Sequence, residues 1–429
     1  MDLLRSAYAD DSDGEVRPAE SAHHALAPPP SKRPRTHGTN PILWRRTSPE
    51  APPPPVPVVS RYVSKRERSV LASAAASAPP PRSMVITSPV IGSISESDIP
   101  REILSSLKSE EKSSKWSRKV TGKLSVVLRG HTKAINAIQW SQSHAHLLAS
   151  AGMDQTVCVW NVWSRCQPKA RVFTYHNAAV KDVRWSLQGL SLLSCGYDCL
   201  SRLMDVEKGV ETQIFKEDQE LGTVRFHPND PNLFLSGGLR GSLKLWDIRA
   251  GKVAREYRRS LGPILDVKFS PDAKHFISSS DTSRSRISEN SIIVWDILRE
   301  IPLSNQVYVE AYTCPCIQYH PYESCFVAQS NGNYIAIFSS RPPFKLDKYK
   351  RYEKHSVSGF PIKCDFSLDG EELASGSSDG SIYFYSYRSS ELLRKIKAFE
   401  QPCVDVAFHP ILPGVIASCS WAGELSVFE

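Results

Sequence analysis

The chain has 429 residues and a formal net charge of +8, and none of its apolar runs approaches the roughly 18 residues of a membrane-spanning helix. Residues 1–120 carry 18 Lys and Arg against 13 Asp and Glu, so the rest of the chain is nearly neutral and does not indicate a nucleic-acid-binding domain. The ten cysteines include no Cys-x-x-Cys pair, which favours free thiols in a reducing compartment over a metal site.

The first 95 residues read as a proline-rich leader. Of the chain's 31 prolines, 17 fall in the first 100 residues, and several of them stand in runs at 27–30, 52–55 and 79–81. Such a segment buries too little apolar surface to offset the entropy lost on ordering. We therefore expect residues 1–95 to be disordered.

A short basic run, Ser-Lys-Arg-Pro-Arg, lies within this leader at 31–35. Lys32, Arg33 and Arg35 are candidate contacts for the acidic groove of a nuclear import receptor. Short basic runs also arise by chance in disordered tails, so a cytoplasmic location is the alternative to the nuclear one that we expect.

Residues 96–122 form a linker that contains one amphipathic segment. Four apolar side chains recur there at helical spacing: Ile99, Ile103, Leu104 and Leu107. Asp98 precedes them as a candidate N-cap, so a short helix is predicted within 98–111. This helix either packs on the edge of the domain that follows or docks a partner.

From residue 124 onward the sequence repeats. Short β-branched or aromatic runs alternate with Gly, Asp and Ser clusters, and seven of them end in a large apolar residue, namely Trp160, Met204, Trp246, Trp295, Phe338, Tyr385 and Phe428. Their spacing of 42 to 49 residues fits the WD repeat, each copy of which builds a four-stranded blade. The pattern predicts an all-β, seven-bladed WD-repeat β-propeller over residues 123–429.

Two of the repeats are longer than the others. One carries a polar insertion at 281–290, and the other carries a basic run at 345–355. The basic run is interpreted as a solvated loop, and contact with phosphate or with an acidic protein is the alternative.

Repeat one contains four side chains that form a buried hydrogen-bonded chain in WD repeats: His131, Ser150, Asp154 and Trp160. A buried indole N–H needs an acceptor, and the buried hydroxyl and imidazole need partners in turn. We assign this tetrad to structure, because its Ser lies in a strand rather than on the sharp turn of a hydrolase nucleophile.

The other repeats keep this tetrad to different degrees. Repeat six offers His355, Ser375, Asp379 and Tyr385, and repeat two keeps His176, Ser194 and Asp198 with Met204 at the Trp position. Repeats three, five and seven lose the Asp, so they are expected to rely on apolar packing.

The last repeat ends after its third strand, at residue 429. The run at 123–128 is the candidate for the missing outer strand, and its pairing would close the ring and remove an exposed sheet edge. On this reading nothing is needed after residue 429.

Several motifs resemble one branch of the WD-repeat family. They are TYHNAAVKDVRWS, WDIRAGKVAREY at 246–257, FISSSDTSRSRISENSIIVWD, YTCPCIQYHP, AQSNGNYIAIFSS, KYKRYEKHSVSGF at 348–360 and HPILPGVIASCSWAGELSVF. The branch is that of the spliceosomal pre-mRNA-processing factor 17, and the resemblance covers about residues 123–429. It implies a nuclear scaffold that contacts RNA-rich machinery.

Propellers bind partners on the face that carries the turns between the second and third strands of each blade. The residues just before the turn Asp are Met153, Tyr197, Leu239, Ser378 and Trp421. Large apolar groups are unusual in a solvated turn, and aromatics are enriched in binding hot spots. The candidate protein contacts are therefore Met153, Tyr197, Leu239 and Trp421, and packing against adjacent turns is the alternative.

These features favour a non-catalytic scaffold without a cofactor, monomeric within a complex and bound to other proteins, with a ribonucleoprotein assembly as one candidate. Direct nucleic-acid contact is left open, and no membrane partner is expected. The alternative function is a substrate receptor of a cullin ubiquitin ligase, because residues 246–249 match the WDxR ending of the adaptor-binding box. Arg240 stands at the acidic position of that box, which argues against it.

Overall fold

The computed structural model describes residues 90–108, 120–281, 292–306 and 312–429, and the side chains of residues 305 and 306 lie outside this description. The predicted disorder of residues 1–89, the basic run at 31–35 and residues 282–290 of the polar insertion lie outside the described residues.

Twenty-eight strands form seven antiparallel sheets of four among the described residues. The prediction of an all-β, seven-bladed propeller is confirmed. The first strand in the chain is β1 (Leu124–Arg129), and it belongs to the last blade. The blades are numbered below from the strand that follows it.

The first three blades each consist of four consecutive strands of the chain. Blade 1 contains β2 (Ile135–Trp140), β3 (Leu147–Gly152), β4 (Val157–Asn161) and β5 (Lys169–Phe173). Blade 2 contains β6 (Val180–Trp185), β7 (Ser191–Gly196), β8 (Leu200–Asp205) and β9 (Val210–Lys216). Blade 3 contains β10 (Leu221–Phe226), β11 (Leu233–Gly238), β12 (Leu243–Asp247) and β13 (Lys252–Tyr257).

The remaining blades follow the same order. Blade 4 contains β14 (Ile264–Phe269), β15 (His275–Ser280), β16 (Ile292–Asp296) and β17 (Pro302–Gln306). Blade 5 contains β18 (Cys316–Tyr319), β19 (Cys325–Ser330), β20 (Tyr334–Ser339) and β21 (Leu346–Tyr352). Blade 6 contains β22 (Cys364–Phe366), β23 (Glu372–Ser375), β24 (Ser381–Ser386) and β25 (Leu392–Lys397). Blade 7 contains β26 (Cys403–Phe408), β27 (Ile416–Ser420), β28 (Glu424–Phe428) and then β1.

The ring closes through strand pairing between the two ends of the propeller. Strand β1 runs antiparallel to β28, with Leu128 opposite Leu425. The backbone N–H groups of Thr121 and Lys123 also donate to the carbonyl oxygen of Glu429, at 3.0 and 3.1 Å. The predicted closure by residues 123–128 is confirmed, and it gives β28 a partner on its outer side.

The first strand of each blade lines the central channel. Each of these strands contacts the first strand of the next blade, and β26 contacts β2 to complete the circle. Because strand direction alternates within a blade, the turns between second and third strands lie at the same end as the connections between blades. This end is called the upper face, and the opposite end is called the lower face.

The core lies between neighbouring blades rather than inside any one of them. All six residues of β3 are buried, and they face two different neighbours. Leu148 joins a cluster with Val404 and Leu425 of blade 7, whereas Leu147 joins a cluster with Val183 of blade 2. A strand that is covered on both faces reads as a continuous apolar run, which explains the Leu-Leu-Ala-Ser sequence of β3.

The linker helix packs on the propeller. A 3₁₀ turn (Glu96–Asp98) is followed by α1 (Arg101–Lys108), and Ile103, Leu104 and Leu107 pack against the cluster that contains Trp163 and Val415. Of the two readings of this segment, packing on the propeller edge is therefore the one observed.

The residues before this helix run along blade 1. Val90 forms an antiparallel bridge with Arg171 of β5, and the Arg171 guanidinium donates to the carbonyl of Gly92 at 2.7 Å. The Asn161 side chain donates to the carbonyls of Ser93 and Ser95 at 3.2 and 3.0 Å. Residues 90–95, which were expected to belong to the leader, thus lie against blade 1.

The basic run near residue 350 was expected to be a loop, and this expectation is wrong. Most of it forms β21, the outer strand of blade 5. Lys350 Nζ lies 4.1 Å from the ring centroid of Tyr387, and Arg351 stacks on Tyr334 at 4.8 Å. The long stems of Lys and Arg can cover apolar surface while their charges stay in water, so basic residues are tolerated in an edge strand.

We predict that the closing strand carries a large share of the stability. Leu128 is 1% exposed between β28 and the neighbouring core, so Leu128→Ala should lower the free energy of unfolding by about 3 kcal/mol, as buried Leu→Ala changes do. Urea denaturation followed by tryptophan fluorescence measures this loss.

Val127→Ala is the matched control, because Val127 lies in the same strand and is 42% exposed. It should cost less than about 1 kcal/mol. Equal losses for the two variants would contradict the burial of Leu128 at the closure.

Candidate protein-interaction face

The four tetrad residues of blade 1 are hydrogen-bonded to one another. His131 Nδ1 lies 3.0 Å from both carboxylate oxygens of Asp154, and His131 Nε2 lies 2.8 Å from Ser150 Oγ. Trp160 Nε1 donates to the same Ser150 Oγ at 2.8 Å. This chain of hydrogen bonds links the connection before β2 to the turn after β3 and to β4. It therefore stabilises the upper end of the blade.

The contact between His131 and Asp154 shifts both pKa values. Burial alone would lower the pKa of His131, but the hydrogen bond and charge of Asp154 outweigh it and raise this pKa to about 9. Burial would likewise raise the pKa of Asp154, yet His131 and the Thr132 N–H hold it well below its usual range. The pair is therefore ionised near neutral pH.

Blade 2 keeps most of this arrangement. His176 lies 2.7 Å from Ser194 Oγ and 2.9 Å from Asp198 Oδ2, while Met204 at the Trp position is fully buried.

Blade 6 does not keep this arrangement, although its sequence contains the His, Ser and Asp of the tetrad. His355 Nδ1 contacts the Tyr385 hydroxyl at 2.9 Å, and its Nε2 contacts the Gln329 side chain of blade 5 at 2.6 Å. Asp379 instead accepts from the Tyr383 hydroxyl at 2.9 Å. Since His355 is buried without a carboxylate contact, burial lowers its pKa to about 4. The expected tetrad of repeat six is wrong in its connections.

Blade 3 was expected to rely on apolar packing, and this is also wrong. The carboxylate of Glu217 accepts from Ser236 Oγ at 2.5 Å and from Trp246 Nε1 at 3.1 Å. Burial raises the pKa of Glu217. Glu217 stands four residues before β10, just as His131 stands four residues before β2, so alignment on the first strands could have identified it.

The candidate contacts come together on the upper face. Met153, Tyr197, Leu239 and Trp421 belong to blades 1, 2, 3 and 7, which are consecutive around the ring. Each donates its backbone N–H to the carbonyl directly before the first strand of its own blade, at 2.8 to 3.1 Å. We call these four residues the apolar arc. The equivalent positions of blades 4, 5 and 6 hold the polar residues Asp281, Asn331 and Ser378.

The aromatic members of the apolar arc have defined neighbours. Tyr197 is 37% exposed, and Lys181 Nζ lies 5.4 Å from its ring centroid. Trp421 is half-buried and meets Phe360 edge-on, with ring centroids 5.3 Å apart. The expected alternative, packing against adjacent turns, thus describes part of the surface of Trp421, whereas Tyr197 is the most open of the four.

At four of the seven junctions, a carboxylate of a first strand joins its blade to the next. Asp182 accepts from the backbone N–H of Val224, Asp266 from Ile317, Asp365 from Phe408 and Asp405 from Ile138, at 2.9 to 3.2 Å. The sequence reading missed this set. The signal was an Asp at the third position of first strands such as VKDVRW and ILDVKF.

The residue that motivates the adaptor-binding alternative is accessible. Arg249 follows β12 on the lower face, and its side chain is 69% exposed. Its Nε lies 3.6 Å from Asp247 Oδ1. Arg240, which replaces the acidic residue of the box, is exposed on the upper face instead.

We predict that two buried histidines titrate far apart. His131 should stay protonated up to about pH 9 and His355 should stay neutral down to about pH 4, as followed by imidazole resonances in NMR. Because the folded pKa of His131 lies above its unfolded value, its stabilisation is complete below about pH 6.5 and is lost as the pH rises through 9. Asp154→Asn should abolish that pH dependence, and a His131 pKa at or below 6.5 in the unmodified chain would contradict the ionised pair.

Comparison with known proteins finds one matching repeat model and several relatives. The model of the family "WD domain, G-beta repeat" matches residues 122–161, 167–205, 210–247, 251–296 and 348–386. Each match contains the first three strands of blade 1, 2, 3, 4 or 6, preceded by all or most of the outer strand of the blade before it. The chain is 38% identical to mouse WD repeat-containing protein 25 over 306 residues, which are 70% of this chain and 57% of that protein.

Two further relatives are more distant. Human pre-mRNA-processing factor 17 is 30% identical over 309 residues, covering 71% of this chain and 51% of that protein. The Danio rerio Denticleless protein homolog is 24% identical over 319 residues, covering 66% of this chain and 49% of that protein. The chain therefore spans roughly half the length of the curated relatives it matches. The matched repeats and the seven four-stranded blades together establish the chain as a WD-repeat β-propeller.

Proposed function

We propose that this chain is a non-catalytic scaffold that binds another protein through the apolar arc on its upper face. The observation that carries the proposal is the placement of four large apolar side chains on four consecutive blades around one side of the channel mouth. Exposed apolar groups that are clustered on one face commonly mark an interaction site.

The arc also has the chemistry of a binding hot spot. Tyr and Trp bury large areas with few rotatable bonds, so ordering them on binding costs little entropy. Phe360 already restrains Trp421, and the cation of Lys181 lies near Tyr197. A partner would meet a surface that is largely organised before binding.

The burial of the His–Ser–Asp set supports a non-catalytic role. Ser150 is fully buried and its hydroxyl is occupied by His131 and Trp160. A nucleophile must reach its substrate, and this hydroxyl has no exposed surface. Within the described ranges, no three His, Cys, Asp or Glu side chains group as a metal site would require. The described helices include none that is long and apolar enough to cross a membrane.

A nuclear role near the splicing machinery belongs to the same proposal. Its support is the 30% identity to human pre-mRNA-processing factor 17, whose name states a role in pre-mRNA processing. We propose residues 1–95 as a leader that carries the import signal Lys32, Arg33 and Arg35, residues 96–122 as a short helix and linker, and residues 123–429 as the binding domain. The propeller would act as a monomer within a ribonucleoprotein assembly, and contact with RNA itself is left open.

We predict that Tyr197→Ala lowers recovery of splicing proteins about tenfold when the tagged chain is purified from nuclear extract, since hot-spot aromatics carry ~1.4 kcal/mol or more. Quantitative mass spectrometry of the recovered proteins measures this. Tyr349→Ala is the matched control, because Tyr349 is fully exposed on β21, away from the arc. Equal recovery with both variants, or a purely cytoplasmic location of the chain, would contradict the proposal.

The second candidate function is a substrate receptor of a cullin ubiquitin ligase. It is favoured by the exposure of Arg249 on the lower face. An exposed guanidinium can form two parallel hydrogen bonds to a carboxylate of an adaptor.

On this second candidate, Arg249→Ala should abolish recovery of a cullin adaptor in a pulldown. Arg299→Ala should leave it unchanged, because Arg299 holds a similar place after β16 and its side chain is 74% exposed. Failure of the unmodified chain to recover any adaptor would end this candidate and leave the scaffold proposal intact.

A further inference from the structure

Two ammonium groups approach the same residue near the upper end of the channel. Lys181, near the start of β6, places its Nζ 3.5 Å from the side-chain oxygen of Asn136. Lys363, directly before β22, donates from its Nζ to the backbone carbonyl of Asn136 at 2.8 Å. Two positive charges from blades 2 and 6 therefore meet at one residue of blade 1.

Only one of these two cations has a carboxylate beside it. Lys363 Nζ lies 3.1 Å from Asp405 Oδ2. Lys181 has no carboxylate within 4 Å among the residues that the structure describes, and its hydrogen bond to Asn136 is long. Burial, followed by the charge of Lys363, lowers the pKa of Lys181 to about 8, which still leaves it mostly protonated at neutral pH.

Two nearby carboxylates, Asp182 and Asp405, are already engaged by other groups. Asp182 binds Arg184 at 2.8 Å, also contacts the Arg225 guanidinium, and accepts the backbone N–H of Val224. Asp405 accepts the backbone N–H of Ile138 at 3.1 Å in addition to its contact with Lys363. Among the described residues, neither of these carboxylates forms an ion pair with Lys181, so the charge of this ammonium group has no carboxylate partner.

This charge adjoins the apolar arc. Lys181 Nζ lies 5.4 Å from the ring of Tyr197, the most exposed member of the arc. A partner that covers Tyr197 would also exclude water from Lys181. Removing water strengthens the attraction of an opposite charge and makes an unpaired one costly.

We infer that the partner of this face is a protein segment that inserts an Asp or Glu carboxylate into the upper end of the channel, against Lys181 Nζ, while a neighbouring apolar side chain packs on Tyr197. This inference rests on the proposed function and names the chemistry of the partner. A basic partner residue is disfavoured because it would place a third cation beside Lys181 and Lys363.

A peptide selection on the full-length chain tests the inference. A phage-displayed library of random dodecapeptides is panned against the immobilised chain, and the selected peptides are measured by fluorescence anisotropy. We expect an acidic residue next to an aliphatic or aromatic one. Replacing that acid by its amide should weaken binding at least tenfold, as expected for a charged hydrogen bond.

Variants of the channel lysines test whether Lys181 is the residue that the acidic side chain of the peptide contacts. Lys181→Gln should remove the preference for acid over amide, and Lys181→Arg, which keeps the charge, should retain it. Lys268→Gln is the matched control, since Lys268 lies on β14 near the lower end of the channel, and it should leave the preference unchanged. Thermal unfolding of each variant shows whether the propeller remains folded, and Lys181→Arg keeps the test decisive if Lys181→Gln does not fold.

The possible outcomes distinguish failure of this inference from failure of the proposed function. Peptides that need Tyr197 but show no acid preference, or a preference that survives in Lys181→Gln, contradict the inference alone. A selection that yields no peptide dependent on Tyr197 contradicts the proposed function as well. Tighter binding of a uridine-rich RNA 20-mer than of any selected peptide, with loss in Lys181→Gln, would assign the charge to phosphate and overturn the acidic segment.

Discussion

Closure of the ring by β1 and β28 is the constraint on which the rest of the propeller depends. The apolar core lies between blades, so each sheet is covered only if both of its neighbours are in place. An open ring would leave two blades with an uncovered face and β28 with unpaired N–H and C=O groups, which is a template for aggregation. Pairing Leu124–Arg129 with Glu424–Phe428 meets both needs with one strand.

Hydrogen bonds of the first strands complement this closure. Carboxylates such as Asp182 and Asp405 accept backbone N–H groups of the following blade, so they join neighbouring sheets near the channel axis. Arg184 and Lys363 compensate these buried charges. Among the described residues, Lys181 has no such carboxylate contact, so the first strands also present a cation near the upper end of the channel.

The buried polar groups show how one packing problem has several chemical solutions. The Trp indole of the third strand needs an acceptor, and Ser150 provides it in blade 1 through a chain that ends at Asp154. In blade 3 the carboxylate of Glu217 replaces both His and Asp, because it accepts hydrogen bonds from the Ser and the Trp directly. Blade 6 has the expected residue types, yet its Tyr385 hydroxyl binds His355 directly, since a phenol reaches further than an indole N–H. Residue types alone thus predicted the connections of blade 1 but not those of blades 3 and 6.

The repeat period, the large apolar residue ending each third strand and the unmatched run at 123–128 were enough to determine seven blades, their strand order and the closure, because these depend on local alternation and on pairing every strand. Tertiary structure alone decided that the run near residue 350 is an edge strand, that α1 packs beside Trp163, and that Lys181 lacks a carboxylate while Lys363 has one. These outcomes depend on which side chains of distant repeats meet across the ring. These contacts depend on how whole blades are placed relative to one another. A periodic pattern within a single repeat does not encode that placement.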